Sequence, residues 1–206
     1  MIRTKNREPY FLLFLLTLIV LTGLTNCRSN PKDNPILEKR KQRQTKSLSK
    51  NIGEQFSLSN FIDTNGRSVQ LDFTKSDITI VDFWFNECPP CNEEMRQFKD
   101  LIKGKDKEIT IVSISVSNYQ FWKDLFLDST KKYAFLKNSI PNWQHLNLKS
   151  NDDPKLKHLI SEDRLEELTS VLNVSFFPSY FVIDKSGFIR ARPISAVEYI
   201  KHNKTP

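Results

Sequence analysis

Apolar residues are distributed along this chain in distinct regimes. Tyr10 to Leu24 is an almost unbroken apolar run, preceded by Arg3, Lys5 and Arg7 and followed by Thr25, Asn26 and Cys27. Residues 28–50 are polar and basic and lack aromatic side chains, so they cannot bury enough surface to fold. From Ile52 onward the apolar positions take on the periods of strands and helices. Phe56, Leu58 and Phe61 alternate loosely, an Asn65-Gly66 turn follows, and Val69 and Leu71 continue the pattern, which predicts a hairpin. Ile78 to Phe85 is continuously apolar and rich in β-branched and aromatic residues, as a strand buried on both faces requires. Met95, Phe98, Leu101 and Ile102 recur at helical spacing up to Lys103-Gly104.

Ile109 to Val116 predicts a second buried strand. Tyr119 to Leu127 predicts a short helix with Phe121, Trp122, Leu125 and Phe126 on its apolar side. Residues 128–160 are irregular apart from strand-like Trp143 to Leu148. Ser161 then caps a helix to Leu172 with a stripe of Leu165, Leu168 and Leu172. Ser179 to Asp184 and Phe188 to Ala191 form a last hairpin around Lys185-Ser186-Gly187. Strands alternating with helices and ending in a hairpin indicate an α/β sandwich with a mixed central sheet.

Charge changes the picture less than its total suggests. The net charge is +7, but residues 1–10 carry +2, residues 28–50 carry +6, and the remainder from Asn51 carries −1. A near-neutral folded part does not read as a nucleic-acid binder. A basic head followed by an apolar middle of this length reads as an export signal. An uncleaved anchor helix is the alternative, although a stable span prefers about 20 apolar residues. Leu24-Thr25-Asn26-Cys27 resembles the bacterial lipobox, with Asn26 where a small residue is usual. That resemblance implies lipid attachment at Cys27; the alternative is an ordinary free thiol. The expected organisation is a signal peptide over 1–26, a lipid-attachment cysteine and basic linker over 27–50, and a folded domain over 51–206. The linker is first of all a solvated tether, and its charge also suits an anionic lipid surface.

Cys88-Pro89-Pro90-Cys91 stands where a buried strand gives way to a helix. At a helix start the unpaired N–H groups and the dipole favour a thiolate. Proline costs nothing there, because those positions have no intrahelical acceptor to lose. Cys88 is then the exposed attacking sulfur and Cys91 the one that resolves the mixed disulfide. The rival readings are a structural disulfide and a metal knuckle, but no second Cys pair exists and His145, His158 and His202 are scattered. No metal site is expected.

The segment Val81 to Cys91 resembles the active-site stretch of the thioredoxin superfamily. With Gly53-Glu54-Gln55-Phe56, the Asn-Gly hairpin, an insertion before the last helix and Phe177-Pro178, the chain is similar to the TlpA/ResA-like, AhpC/TSA-related extracytoplasmic branch. The resemblance implies a thioredoxin-like sandwich with an N-terminal hairpin. It makes Asp82 the buried carboxylate that relays the proton of Cys91, and Glu94 a second acid near the site. It places Trp84 under the motif, and Pro89, Pro90, Phe177 and a cis Pro178 along the substrate groove. Read from the residues alone, the alternatives are an acid at a solvated strand edge for Asp82, a surface charge for Glu94 and a trans proline for Pro178.

The activity the resemblance implies is thiol–disulfide exchange on protein disulfides in the periplasm or at the cell surface, in the reducing direction, as in cytochrome c maturation. A membrane thiol donor supplies the electrons, and the bilayer is a partner through Cys27 and the linker. No cofactor is expected, since five glycines include no phosphate-binding loop. The alternatives are a non-catalytic binding module or copper chaperone on the same fold, and a peroxiredoxin-type peroxidase, whose Pro-x-x-x-Thr-x-x-Cys signature is absent around Cys88.

Overall fold

The two apolar runs in the middle of the chain become its central strands. Strands β3 (Ile78–Trp84) and β4 (Ile109–Ser115) pair in parallel, with Asp82 beside Ser113. Parallel pairing demands a crossover, which helix α1 (Pro89–Ile102) supplies. The computed structural model describes residues 45–127, 131–137, 140–149 and 162–203. The expected export signal, Cys27, most of the basic linker, His158 and the Ser161 cap lie outside the described residues.

The sheet is completed by β1 (Phe61–Ile62), β2 (Ser68–Val69), β5 (Trp143–Leu148), β6 (Ser179–Asp184) and β7 (Ile189–Ala191), in the order β2-β1-β5-β4-β3-β6-β7. β5 runs parallel to β4, whereas β6 runs antiparallel to β3 and sets Tyr180 beside Asp82. Alternation along each strand then sorts side chains into two cores. Ile80, Trp84, Ile111 and Val182 pack with Met95, Phe98 and Ile102 of α1, with Trp122 of α2 (Tyr119–Leu127), and with Val197 and Ile200 of α4 (Ala196–His202). Val81, Phe83, Ile114 and Phe181 pack on the opposite face with Leu168 and Leu172 of α3 (Glu162–Leu172).

Three features depart from the sequence pattern. Leu165, expected in the buried stripe of α3, is 39% exposed, and Arg164 turns inward in its place. Arg164 Nη1 donates to the carbonyl of Val116 at 2.9 Å and to that of Ser117, and Nη2 reaches Asn147 Oδ1 at 3.4 Å. Carbonyls freed where β4 ends need donors, and a guanidinium fork satisfies several at once. The stripe is therefore Arg164, Leu168 and Leu172. Helix α4 was not legible as an element, although Ser195 and Glu198 carry a capping-box pattern and Ser195 Oγ accepts from the Glu198 N–H at 3.1 Å.

The last linker residues, 45–50, belong to the folded unit that starts at Thr45. Arg192 Nη1 donates to the Ser47 carbonyl at 2.9 Å, Ser47 Oγ donates to the Asn173 carbonyl at 2.9 Å, and Leu48 is buried.

Candidate active site

Proline chemistry shapes the start of α1. Cys88 is its N-cap, with extended backbone, and Pro89 and Pro90 fill the first two helical positions without N–H groups to satisfy. The first amide available at this helix end is that of Cys91, and it donates to Cys88 Sγ at 3.3 Å. The two cysteines form a disulfide across a Cα separation of 5.3 Å. Glu87, just before the motif, has φ +65°, a left-handed conformation that turns its own side chain into solvent. Asn86 points inward instead, and its backbone N–H donates to Ser117 Oγ at 2.8 Å. The motif loop is thereby tied to the turn after β4 that Arg164 braces.

From the sequence Cys88 is expected to remain exposed, and the structure corrects this. In the disulfide form Cys88 is 2% exposed and Cys91 fully buried. Cys88 lies in the cluster that holds Trp84 and Met95, and Phe85 and Phe177 pack against that cluster. Those two rings meet edge to face at 5.5 Å. The Phe177–Pro178 peptide bond is cis. Beside the motif an open groove of about 510 Å³ is lined by Glu87, Pro89, Asn92, Glu93, Arg96 and Lys132.

Asp82 is not an acid at a solvated edge. It is fully buried, on the same strand face as Ile80 and Trp84. Ser113 Oγ donates to its Oδ2 at 3.1 Å, and Trp143 Nε1 donates to Ser113 Oγ at 3.0 Å. Burial pushes the Asp82 carboxyl up to about 8, the Ser113 hydrogen bond pulls against that, and the charge of Glu94 adds to the rise. A carboxyl held there exchanges protons near neutral pH.

Glu94 lies one helical turn along α1 from Cys91, partly buried. Its Oε2 accepts from the N–H groups of Ala196 at 3.0 Å and Val197 at 3.3 Å, so it is committed to the start of α4. Tyr180 is buried beside Asp82, and burial together with Asp82 and Glu94 raises its phenol far above the ordinary range. His145 packs against Trp143 at 4.7 Å and Phe126 at 5.5 Å. Burial holds it down at about 3, hence neutral, and neither ring nitrogen has a hydrogen-bond partner. His202 is exposed beside Glu198. Among the described residues no three His, Cys, Asp or Glu side chains group as metal ligands would.

Ser113, Trp143 and Asn86 went unnoticed in the sequence. The available signal for Ser113 was a serine interrupting an otherwise apolar strand.

A Redoxin family model matches residues 49–199. The chain belongs to the Redoxin family. Its mixed sheet between helices is a thioredoxin-like fold. Among solved structures the Redoxin chain is similar to a thiol:disulfide interchange protein from Bacteroides sp., at 22% identity and TM-score 0.53, covering 75% of this chain and 88% of that one. It is also similar to the C-terminal domain of an uncharacterized protein from Bacteroides fragilis, at 11% identity and TM-score 0.51, covering 74% and 97%. These likenesses bear on the fold. No curated protein matches the Redoxin chain.

Proposed function

We propose that this Redoxin-family protein is a thiol–disulfide oxidoreductase that reduces protein disulfides outside the cytoplasm. One observation carries the reading: a Cys88–Cys91 disulfide at the start of α1, in the cluster that borders the buried carboxyl of Asp82. In the reduced protein, the Cys88 thiolate attacks a substrate disulfide and forms a mixed disulfide, and the first substrate sulfur leaves as a thiolate that takes a proton from water. Cys91 then gives its proton to Asp82, and its thiolate attacks Cys88 Sγ. That step forms the Cys88–Cys91 bond and releases the second substrate sulfur as a thiolate, which takes a proton from water. Two electrons pass from the dithiol to the substrate. The cis Pro178, Phe177, Pro89 and Pro90 supply the rim along which a peptide would lie.

The wider setting belongs to the same proposal. The TlpA/ResA-like resemblance and the export-type N-terminus support an anchored protein outside the cytoplasm, lipidated at Cys27, with the basic linker against the bilayer. A thiol donor in the membrane would return the electrons. The second reading, a non-catalytic binding module, is favoured by one observation, the 2% exposure of Cys88.

Insulin reduction by dithiothreitol separates the two. The purified full chain is expected to accelerate it, and Cys88→Ser to return the rate to the uncatalysed background. Equal rates for both proteins would leave the binding module standing. Equilibration with glutathione buffers checks direction: a reductant stays largely oxidised at a potential where a strong oxidant would be reduced.

A further inference from the structure

Three polar side chains on neighbouring strands form one hydrogen-bonded line through the sheet. Trp143 Nε1 on β5 donates to Ser113 Oγ on β4 at 3.0 Å, and Ser113 Oγ donates to Asp82 Oδ2 on β3 at 3.1 Å. All three residues are buried. An indole N–H can only donate, so it occupies a lone pair of Ser113 and leaves the hydroxyl proton for Asp82. A sealed interior makes an unused donor costly, which gives the line a single direction. The other carboxyl oxygen, Asp82 Oδ1, is equally sealed from solvent and has no partner.

We propose that Ser113 and Trp143 are positioning residues for Asp82, holding Oδ2 as a standing acceptor and leaving Oδ1 as the atom that takes and returns the proton of Cys91. The inference rests on the thiol–disulfide reading above. The groups facing Asp82 make the contribution plain. Glu94 of α1 adds negative charge that opposes ionisation, and its own carboxylate is held by the α4 amides. Tyr180 of β6 lies alongside as a buried, neutral phenol. His145 of β5 is neutral, and the cysteines of α1 border the same cluster. Burial and charge both favour the protonated acid. Among the described residues, the Ser113 hydroxyl is the contact that favours the carboxylate able to accept a proton.

The test uses the full chain. The Asp82 carboxyl is titrated by carbon-13 NMR in the oxidised protein, and single-turnover reduction of glutathione disulfide is followed against pH in the reduced one. Ser113→Ala is expected to move the Asp82 titration, and the rising limb of the rate profile, upward by about one pH unit, slowing the reaction at pH 7 about tenfold. Trp143→Phe keeps a ring against Phe98 and His145 and shifts both readouts the same way by less. Ser113→Thr keeps the hydroxyl and restores the wild-type profile, which a packing role would not.

An unmoved Asp82 titration in Ser113→Ala, or a shift in Ser113→Thr as large as in Ser113→Ala, overturns the proposal. Should Ser113→Ala not fold, the Trp143→Phe shift and the Ser113→Thr profile decide it by the same criteria. If Asp82→Asn alters the rate profile while Ser113→Ala does not, the positioning claim falls and the exchange reading stands. If Cys88→Ser reacts like wild type, the exchange reading falls and takes the proton-transfer role with it. The NMR shift would then still report the hydrogen-bonded line.

Discussion

Asp82→Asn is expected to stabilise the oxidised domain strongly at pH 9 and to leave it almost unchanged at pH 4. The Asp82 carboxyl has an ordinary value of 3.8 and is pushed by burial to about 8 in the fold. Between those values the unfolded chain is ionised while the folded one retains its proton. Rising pH therefore favours unfolding throughout that window, and the loss is complete above the folded value. The cost of ionised Asp82 is on the order of 5 kcal/mol, since each pH unit of separation is worth about 1.4 kcal/mol. Asparagine can still accept from Ser113 Oγ without that cost. Urea unfolding of both proteins at pH 4 and pH 9 measures it, and parallel pH dependences would refute a buried, proton-holding Asp82. The same substitution is expected to slow the resolving step about 100- to 10,000-fold, the usual contribution of a positioned base. Stability and turnover thus move in opposite directions at one residue.

Arg164→Ala is the second large effect. Arg164 is 1% exposed, and its guanidinium serves the carbonyls of Val116 and Ser117 and the side chain of Asn147. Its removal takes the guanidinium donor from the buried Val116 carbonyl and from Asn147 Oδ1, while the Ser117 carbonyl keeps the Asn147 side-chain N–H at 2.8 Å, and it opens space beneath α3. Each orphaned acceptor costs about 1–3 kcal/mol, so the loss should reach about 3 kcal/mol or more. A fall in the urea midpoint with an unchanged slope is the expected result. Amide exchange at Asn86 should also quicken, because its N–H bonds to Ser117 Oγ on the braced turn. A midpoint within about 0.5 kcal/mol of wild type, the usual range for surface changes, would show that the turn holds itself.

Much of the scaffold was readable from local pattern. The run Ile78 to Phe85 and the helix from Tyr119 to Leu127 needed only their own residues to be recognised. So did the helical start after Cys88, because proline and the strand–helix boundary are local facts. The less legible features depend on partners far along the chain. Arg164 faces inward because of carbonyls at residues 116 and 117, which no periodicity within α3 reveals. Ser113 matters through the parallel register that sets it beside Asp82, and Trp143 through its indole reaching across from β5. The burial of Cys88 likewise depends on distant residues such as Tyr180 and Phe177 that share its cluster. Glu94 was legible as an acid near the motif, but its use lies at Ala196 and Val197, a hundred positions away.

That last contact makes the end of the chain a witness to its reactive middle. Ala196–His202 is too short a helix to persist unaided in water, and its leading amides are gripped by a side chain rooted in the segment that carries both sulfurs. Whatever tilts or loosens that root acts on the two amides that open the Ala196–His202 helix. A fluorophore attached near His202 would act as a remote gauge of events it never touches.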